Sequence, residues 1–270
     1  MEDGLYYDLT FDEYRAIPAI NQSALTRGTR SAAHMKAYLD GGNEPKNKSA
    51  LMMGSLVHTA VLEPRLLNEQ FAVLPNVDRR TSSGKQIMED FNAIHGTKLH
   101  VKSTEMEQAL AIRDSVRSHP AAAKLLSDGQ AEVTAVWTAP NGVRCKGRID
   151  WLPKVKGNAK HRLVDLKTTT DASRNFSKSI ASYDYHLQAA FYLDAYRTLT
   201  GKDADFVFIA VEKDPPYAVG VYNLDLLALD YGRERYMDSL FAYNECMKSG
   251  KWQGYSDEIK TLTLPSWATS

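Results

Sequence analysis

From Gln130 onward the apolar residues of this chain recur at every second position instead of every third or fourth, and that change of period commits the fold to a central sheet. "AEVTAVWTA" (Ala131 to Ala139), a Pro-Asn-Gly turn at Pro140 to Gly142 and "VRCKGRIDWL" (Val143 to Leu152) together make a hairpin signal. "HRLVDLKT" supplies a third strand. The helical stretch "YHLQAAFYLDAYRTL", with Asp184 placed to cap it and Gly201 to end it, separates that strand from two more, "DFVFIAVE" and "AVGVYNL", which flank an Asp-Pro-Pro turn. A last long helix runs from about Asp225 to Lys248, and an irregular tail follows.

Upstream of Gln130 the period is helical. Asn21 and Ser31 are placed to cap two short helices, the second over "AAHMKAYL", and Ser49 opens a third through "ALMMGSLVHTAVLE" that Pro64 stops. After a short strand near "QFAVL", helices return in "GKQIMEDFNAIHG" and in "STEMEQALAIRDSVRSH", where Ser103 and the acidic residues behind it form a first turn. A further short helix follows Pro120, while "DGGNEPKNKS" (Asp40 to Ser49) and "PNVDRRTSSGK" (Pro75 to Lys85) read as exposed loops. Helices, three strands, helix, two strands, helix is the order of an α/β fold with a mixed central sheet flanked by helices, preceded by an N-terminal helical region. The 270 residues suffice for one sizeable core, so the chain is read as a single domain: 1–128 mainly helical, 129–249 the α/β core, 250–270 a tail.

Composition excludes several classes of function. Only Cys145 and Cys246 are present, so one chain can assemble neither a disulfide framework nor a four-cysteine zinc or iron-sulfur site, and any metal must use oxygen and nitrogen ligands. Lysine plus arginine (33) equals aspartate plus glutamate (33), so bulk charge gives no sign of a nucleic-acid partner and local clustering must supply it. The longest apolar runs, such as "FVFIAV", fall far short of the roughly 20 residues of a membrane span. The start "MEDGLYYD" lacks a secretory n-region, and the chain reads as cytoplasmic with no membrane partner.

Side chains alternate across a strand, so in "RLVDLK" Leu163, Asp165 and Lys167 face one way and Val164 and Leu166 the other. The same rule puts Cys145, Ile149 and Trp151 on one face of "VRCKGRIDWL" and Lys146, Arg148 and Asp150 on the other. A lone DxK is most simply a cross-strand ion pair on a solvated face. Asp150 changes the balance, because adjacent strands can bring its carboxylate and that of Asp165 within reach of one divalent cation, and two such carboxylates repel unless a cation neutralises them. In "YHLQAAFYL", Tyr185, Gln188 and Tyr192 share one helix face; alone, they read as an amphipathic helix burying its tyrosines with Gln188 at the edge. His58, in the apolar helix "GSLVHTAVLEP", alone reads as a satisfied core histidine.

His58, then "GRID" ending in Asp150, then "DLK" with Asp165 and Lys167, then "QAAFY" from Gln188 to Tyr192, resembles in that order the RecB-type branch of the PD-(D/E)XK nucleases. Within that branch, "GSLVHTAVLEP" and the opening "INQSALTRGTRSAAHMKAY" are similar to the nuclease domain of the exonuclease VIII (RecE) family, over about Ile20 to Lys248. The resemblance implies a restriction-endonuclease-like core in which Asp150 and Asp165 ligate Mg2+, with Mn2+ able to substitute, and the Leu166 carbonyl completes the protein ligands. It further implies that His58 ligates the ion or holds its water, that Lys167 orients the attacking water and stabilises phosphate charge, and that Gln188 and Tyr192 brace the site and the DNA backbone. Glu132 reads as a solvated edge glutamate or as a carboxylate supporting the site or a second ion, and Ser23 and Arg27 as contacts to a 5'-phosphate or DNA backbone.

Chemistry points the same way. A phosphodiester is already anionic, so its hydrolysis calls for a cation to offset growing charge, and oxygen ligands with one histidine suit magnesium or manganese better than zinc. What the resemblance implies is a Mg-dependent exonuclease that degrades linear double-stranded DNA 5' to 3' from its ends. The 3' single strand left behind serves homologous recombination through a RecT-like single-strand annealing protein. The enzyme would be bacterial or phage-encoded and work as a homo-oligomeric ring, a tetramer. A related single-strand nuclease or endonuclease is the alternative within enzymes, and its iron-sulfur form lacks the cysteines here. A catalytically inactive DNA-binding accessory is the alternative outside them.

Overall fold

The hairpin that opens the sheet forms because its turn permits it: Gly142 adopts φ 83°, and Ala139 and Val143 close the loop through the Ala139 N–H to the Val143 carbonyl. In this computed structural model, which describes residues 1–41, 48–157 and 159–264, the hairpin is β5 (Gly129–Thr138) and β6 (Arg144–Pro153). The third strand is β7 (His161–Thr169), and the last two are β8 (Ala204–Glu212) and β9 (Val219–Asn223). Four short strands precede them: β1 (Gly4–Tyr6), β2 (Ile20–Asn21), β3 (Phe71–Val73) and β4 (Leu99–Val101). The main sheet has the order β1-β5-β6-β7-β8-β9 with β2 beside β6, and β3 and β4 form a small parallel pair of their own. Parallel β7–β8 and β2–β6 pairs sit among antiparallel ones, so the central sheet is mixed.

The helices of the N-terminal part are α1 (Phe11–Ala16), α2 (Gln22–Gly28), α3 (Ala32–Leu39), α4 (Lys48–Leu62), α5 (Leu67–Gln70), α6 (Ser82–His95), α7 (Ser103–Ser118) and α8 (Pro120–Leu125). Those of the core are α9 (Phe176–Ser182), α10 (Tyr185–Thr200) and α11 (Leu226–Ser249). Asn21, Ser31 and Asp225 accept hydrogen bonds from the first turns of α2, α3 and α11, and Gly201 and Gly250 end α10 and α11 in the left-handed conformation. Ser49 lies inside α4, and most of the loop read over Asp40 to Ser49 is outside the described residues. The loop read at Pro75 to Lys85 ends earlier than its composition implies, because Thr81 caps α6 and Ser82 to Lys85 already belong to that helix. Asp184 does not cap α10: its φ is 55° and its carboxylate turns instead to Arg235 and Thr29, at 3.0 and 3.4 Å.

Two hydrophobic clusters lie against the sheet. One face packs on α2, α10 and α11 through residues such as Leu25, Leu163, Phe191 and Phe208, and the opposite face packs on α4 and α7 through Leu56, Ile112, Leu166 and Ile209. Each such side chain, fully buried, contributes roughly 1.5–3 kcal/mol. A third, smaller cluster sets α1 on the outer part of the second face, with Tyr14 and Ile17 against Val136. Lys146 fastens it by donating to the carbonyls of Tyr14, Arg15 and Ile17 at 2.8–3.0 Å, so this buried lysine holds the C-terminal end of α1 in place.

The rule of alternation fails at one point of the hairpin. Val133 and Ile149 join the α10 cluster, whereas Ala131 and Trp151 join the α4 cluster, so Trp151 lies on the face opposite Cys145 and Ile149. Between them Glu132 has φ 54°, a left-handed conformation inside a strand, and the hairpin register passes from the Ala131–Trp151 pair to the Val133–Ile149 pair with no pairing of Glu132 and Asp150. That defect is where the side chains change faces.

Helices α10 and α11 pack closely at Gly232, where an added Cβ would fall on the backbone carbonyl of His186. Backbone cannot swing aside as a side chain does. Gly232→Ala is therefore expected to lower unfolding stability by about 1–3 kcal/mol, measured by chemical denaturation; an unchanged midpoint would refute the close approach.

Candidate metal centre and active site

Strand β7 is paired with β8 along its whole length, but its ladder with β6 consists of one bridge, Trp151 to Val164. Past that bridge the two strands part. Leu166 is buried, so its outward N–H and C=O need partners that a neighbouring strand does not give. Asp150 accepts from the Leu166 N–H through Oδ2 at 2.9 Å, and the His58 Nε2–H donates to the Leu166 carbonyl at 2.8 Å. His58 Nε2 is also 3.7 Å from Asp150 Oδ2, so an imidazole from α4, a carboxylate from β6 and a carbonyl from β7 converge in the gap.

Glu132 completes this side. Its carboxylate, the Asp150 carboxylate and a His58 ring nitrogen present atoms that all lie within 4.8 Å of one another. The left-handed backbone at Glu132 is what delivers it there, a cost of roughly 1–3 kcal/mol of local strain. Glu132 is thus no solvated edge residue: its side chain is 20% exposed and accepts from Arg148 Nε at 2.5 Å. Arg148 in turn donates to the carbonyls of Leu9 and Thr10, at the entry to α1. Of the three residues placed together on one face of β6 by alternation, Lys146 is spent on α1 and Arg148 on Glu132, and only Asp150 enters the gap.

Asp165 and Lys167 occupy the side that faces α10. Asp165 is 1% exposed; Gln188 Nε2 donates to its Oδ1 at 2.5 Å, and its Oδ2 has the Lys167 ammonium at 2.7 Å but no hydrogen bond of good geometry. Asp165 stands outside the group formed by His58, Glu132 and Asp150. The Lys167 ammonium also lies 4.8 Å from the centre of the Tyr185 ring. Tyr192, one helical turn beyond Gln188, is buried: its hydroxyl accepts from the Arg148 N–H at 3.4 Å, and its ring packs over Gly147, where a Cβ would come within 2.8 Å. The glycine of "GRID" exists to admit that ring. Its contacts are thus with β6, through the Arg148 N–H and Gly147.

Electrostatics of the gap follow from burial and crowding of like charge. Burial and the nearby Asp165 carboxylate push the Asp150 carboxyl up to about 7, against the pull of His58 and Lys167. Burial disfavours the His58 imidazolium, but Asp150, Glu132 and Asp165 outweigh it and hold its pKa above the usual histidine value. Lys167 behaves alike: burial opposes its charge, yet Asp165 and Asp150 keep it above the ordinary lysine range. Glu63, at the end of α4, is raised by burial and by Glu132, which marks it as a further acid beside the cluster that sequence reading passes over. Nothing in the order "HTAVLEP" distinguishes it.

Ser23 and Arg27 are exposed on α2, and among the described residues neither side chain forms a hydrogen bond or ion pair with the cluster. The residues in the gap suit a divalent cation: carboxylate, imidazole and carbonyl are the donors such ions take. Among the described residues no helix is long and apolar enough to cross a membrane.

Comparison with known proteins agrees with the architecture. A family model described as a PDDEXK-like domain of unknown function (DUF3799) matches residues 21–265. Among solved structures, a protein from Eubacterium rectale described as a "Putative exonuclease" aligns with a TM-score of 0.63 at 14% identity, covering 98% of this chain and 99% of that one, a likeness of fold. No curated protein matches.

The raised acid and histidine fix how the metal-free protein responds to pH. A carboxyl with a folded pKa of about 7 against about 3.9 unfolded contributes stability that is complete below the unfolded value and is lost as pH rises through 7. His58, raised in the same sense, adds to the loss. In chelator the melting temperature should therefore fall from pH 6 to pH 8, the fall should shrink in Asp150→Asn, and Mg2+ or Mn2+ should raise the melting temperature more at pH 8 than at pH 6. A wild-type profile that Asp150→Asn leaves unaltered would remove Asp150 from the account.

Proposed function

This chain belongs to the PDDEXK-like family (DUF3799), and from that premise we propose that it is a metal-dependent nuclease, specifically a Mg-dependent exonuclease acting on double-stranded DNA ends. The observation that carries the reading is the set of groups gathered about Leu166: Asp150 on its N–H, His58 on its carbonyl, Asp165 and Lys167 on either side in sequence. When bound, a divalent cation supplies Lewis acidity toward a phosphoryl oxygen and makes hydroxide available near neutral pH. His58, Asp150, Glu132 and the Leu166 carbonyl are the groups that would hold it, with Asp165 joining from the α10 side.

The chain's own residues do the rest. Lys167, kept charged by Asp165 and Asp150, places an ammonium where a phosphodiester gathers negative charge, and its side chain is 19% exposed, so it reaches the cleft surface. Gln188 fixes the Asp165 carboxylate from below, and Tyr185 gives the ammonium its second neighbour. Tyr192 and Gly147 set the height of β6 and with it the carboxylate of Asp150.

Polarity and partners rest on the resemblance to exonuclease VIII. On that footing the enzyme digests 5' to 3', leaves a 3' single strand for a RecT-like annealing protein in homologous recombination, and works in the bacterial cytoplasm as a ring-shaped homo-oligomer, a tetramer. A ring gives a chain of zero net charge a basic inner wall without a basic composition. Ser23 and Arg27, exposed on α2, are the proposed contacts to a 5'-phosphate or backbone.

Linear duplexes labelled at either the 5' or the 3' end, incubated with Mg2+ or with chelator, test activity, polarity and metal dependence together; a circular plasmid should stay whole. Lys167→Ala should retain metal binding and lose about 10²–10³-fold in kcat. Turnover near the wild-type rate in that variant would take the lysine out of the mechanism, and DNA binding without hydrolysis in either Mg2+ or Mn2+ would leave a binding protein of the same fold.

A further inference from the structure

Tyr183 is 63% exposed. It sits at the C-terminal end of α9, and its ring lies 5.5 Å from that of Tyr185 with 30° between the planes. Tyr185 is the ring beneath the Lys167 ammonium, and it is held in turn by Phe176 and Phe208 at 6.2 and 5.9 Å. An exposed aromatic face is thus joined to the catalytic lysine by a single intervening ring.

The backbone beside it is fixed. Asp184 is held in the left-handed conformation, φ 55°, while its carboxylate is taken by Arg235 at 3.0 Å and by Thr29 at 3.4 Å. A non-glycine residue keeps that conformation only where surroundings impose it. The effect is to present Tyr183 outward from an anchored turn, so little ordering entropy remains to be lost when something flat lies on it.

We propose that Tyr183 is a stacking platform for the nucleobase adjoining the scissile phosphate. The inference rests on the nuclease reading and names a substrate contact that the cluster itself does not contain. A phosphate placed at Lys167 carries a base on its neighbouring nucleotide, and Tyr183 is an exposed aromatic face joined to that lysine through Tyr185. Stacking is tolerant of sequence, as a nuclease without sequence preference needs, because every base offers a π face. Other exposed aromatics are engaged elsewhere, Tyr255 by Arg30 and His34, Tyr231 by His186 and Phe11 by Arg148, while Phe241, 63% exposed on α11, has no ring contact among the described residues with Tyr185 or Lys167.

The test compares Tyr183→Ala, Tyr183→Phe and Phe241→Ala in the full chain with Mg2+. Tyr183→Ala should raise KM about tenfold with kcat little changed, while Tyr183→Phe and Phe241→Ala stay close to wild type. A substrate with an abasic nucleotide next to the cleaved linkage should bring wild type and Tyr183→Ala together. In an Asp150→Asn background that holds DNA uncleaved, 2-aminopurine at the same position should be quenched, and Tyr183→Ala should restore its emission. The proposal falls if Tyr183→Ala keeps the wild-type KM, or if its defect persists undiminished on the abasic substrate. A wild-type chain that cleaves DNA while failing these comparisons overturns the stacking role alone, whereas a wild-type chain that neither binds nor cleaves DNA overturns the nuclease reading beneath it.

Discussion

Leu166 keeps neither of its outward backbone groups in a ladder with β6, and the site is built on how that deficit is met. A buried N–H or C=O without a partner costs about 1–3 kcal/mol, so the parting of β6 and β7 demands polar side chains at that spot. Asp150 and His58 meet it. The two residues that draw attention as metal ligands are therefore also what lets the sheet open without loss of stability. Fold and chemistry share the same atoms: the gap exists because side chains replace a strand, and the side chains that do so are those a cation takes.

The gap collects charge at a density that only compensation allows. Two unit charges 4 Å apart interact by about 4 kcal/mol at an effective dielectric of 20; Asp165 and Glu132 both act on Asp150, and Glu132 acts on Glu63. Arg148 answers Glu132 and Lys167 answers Asp165. For Asp150, burial and the Asp165 carboxylate outweigh the pull of the His58 imidazole, 3.7 Å away, and of Lys167, and its pKa is raised.

Much of this was legible before any coordinates. Alternation in "RLVDLK" separates Leu163 and Asp165 from Val164 and Leu166 as the two clusters do, and the shared face of Tyr185, Gln188 and Tyr192 is the face of α10 that meets β7 and β6. Both readings rest on rigid periodicities that tertiary contacts do not alter. Glu132 and Trp151 were not legible, because a left-handed residue inside a strand breaks alternation without any glycine to announce it. Asp184 fails as a cap for a related reason: Arg235, distant in sequence, takes its carboxylate. The short β1, β4, α1 and α9 are too brief to show a period, although the Thr10 and Glu13 capping box of α1 is a signal that composition alone carries. Glu63 has no signal at all, since only the packing of α4 on the hairpin brings it to Glu132.

The two walls of the gap differ in what fixes them, and the difference matters for a reaction that needs both. The α10 wall is set by close-packed apolar contact: Tyr192 on Gly147, Tyr185 on Phe176 and Phe208, and Gln188 on Asp165 within the same packed layer. Close-packed layers move little, so Asp165 and Lys167 are held in one geometry. The opposite wall depends on polar links, with Glu132 on Arg148 and Arg148 on the carbonyls of Leu9 and Thr10. Phosphoryl chemistry asks for an ammonium and for cation-binding carboxylates, both held in place. One wall carries the lysine and the other the cluster of carboxylates and imidazole, and the packing of Tyr192 on Gly147 joins the two through β6.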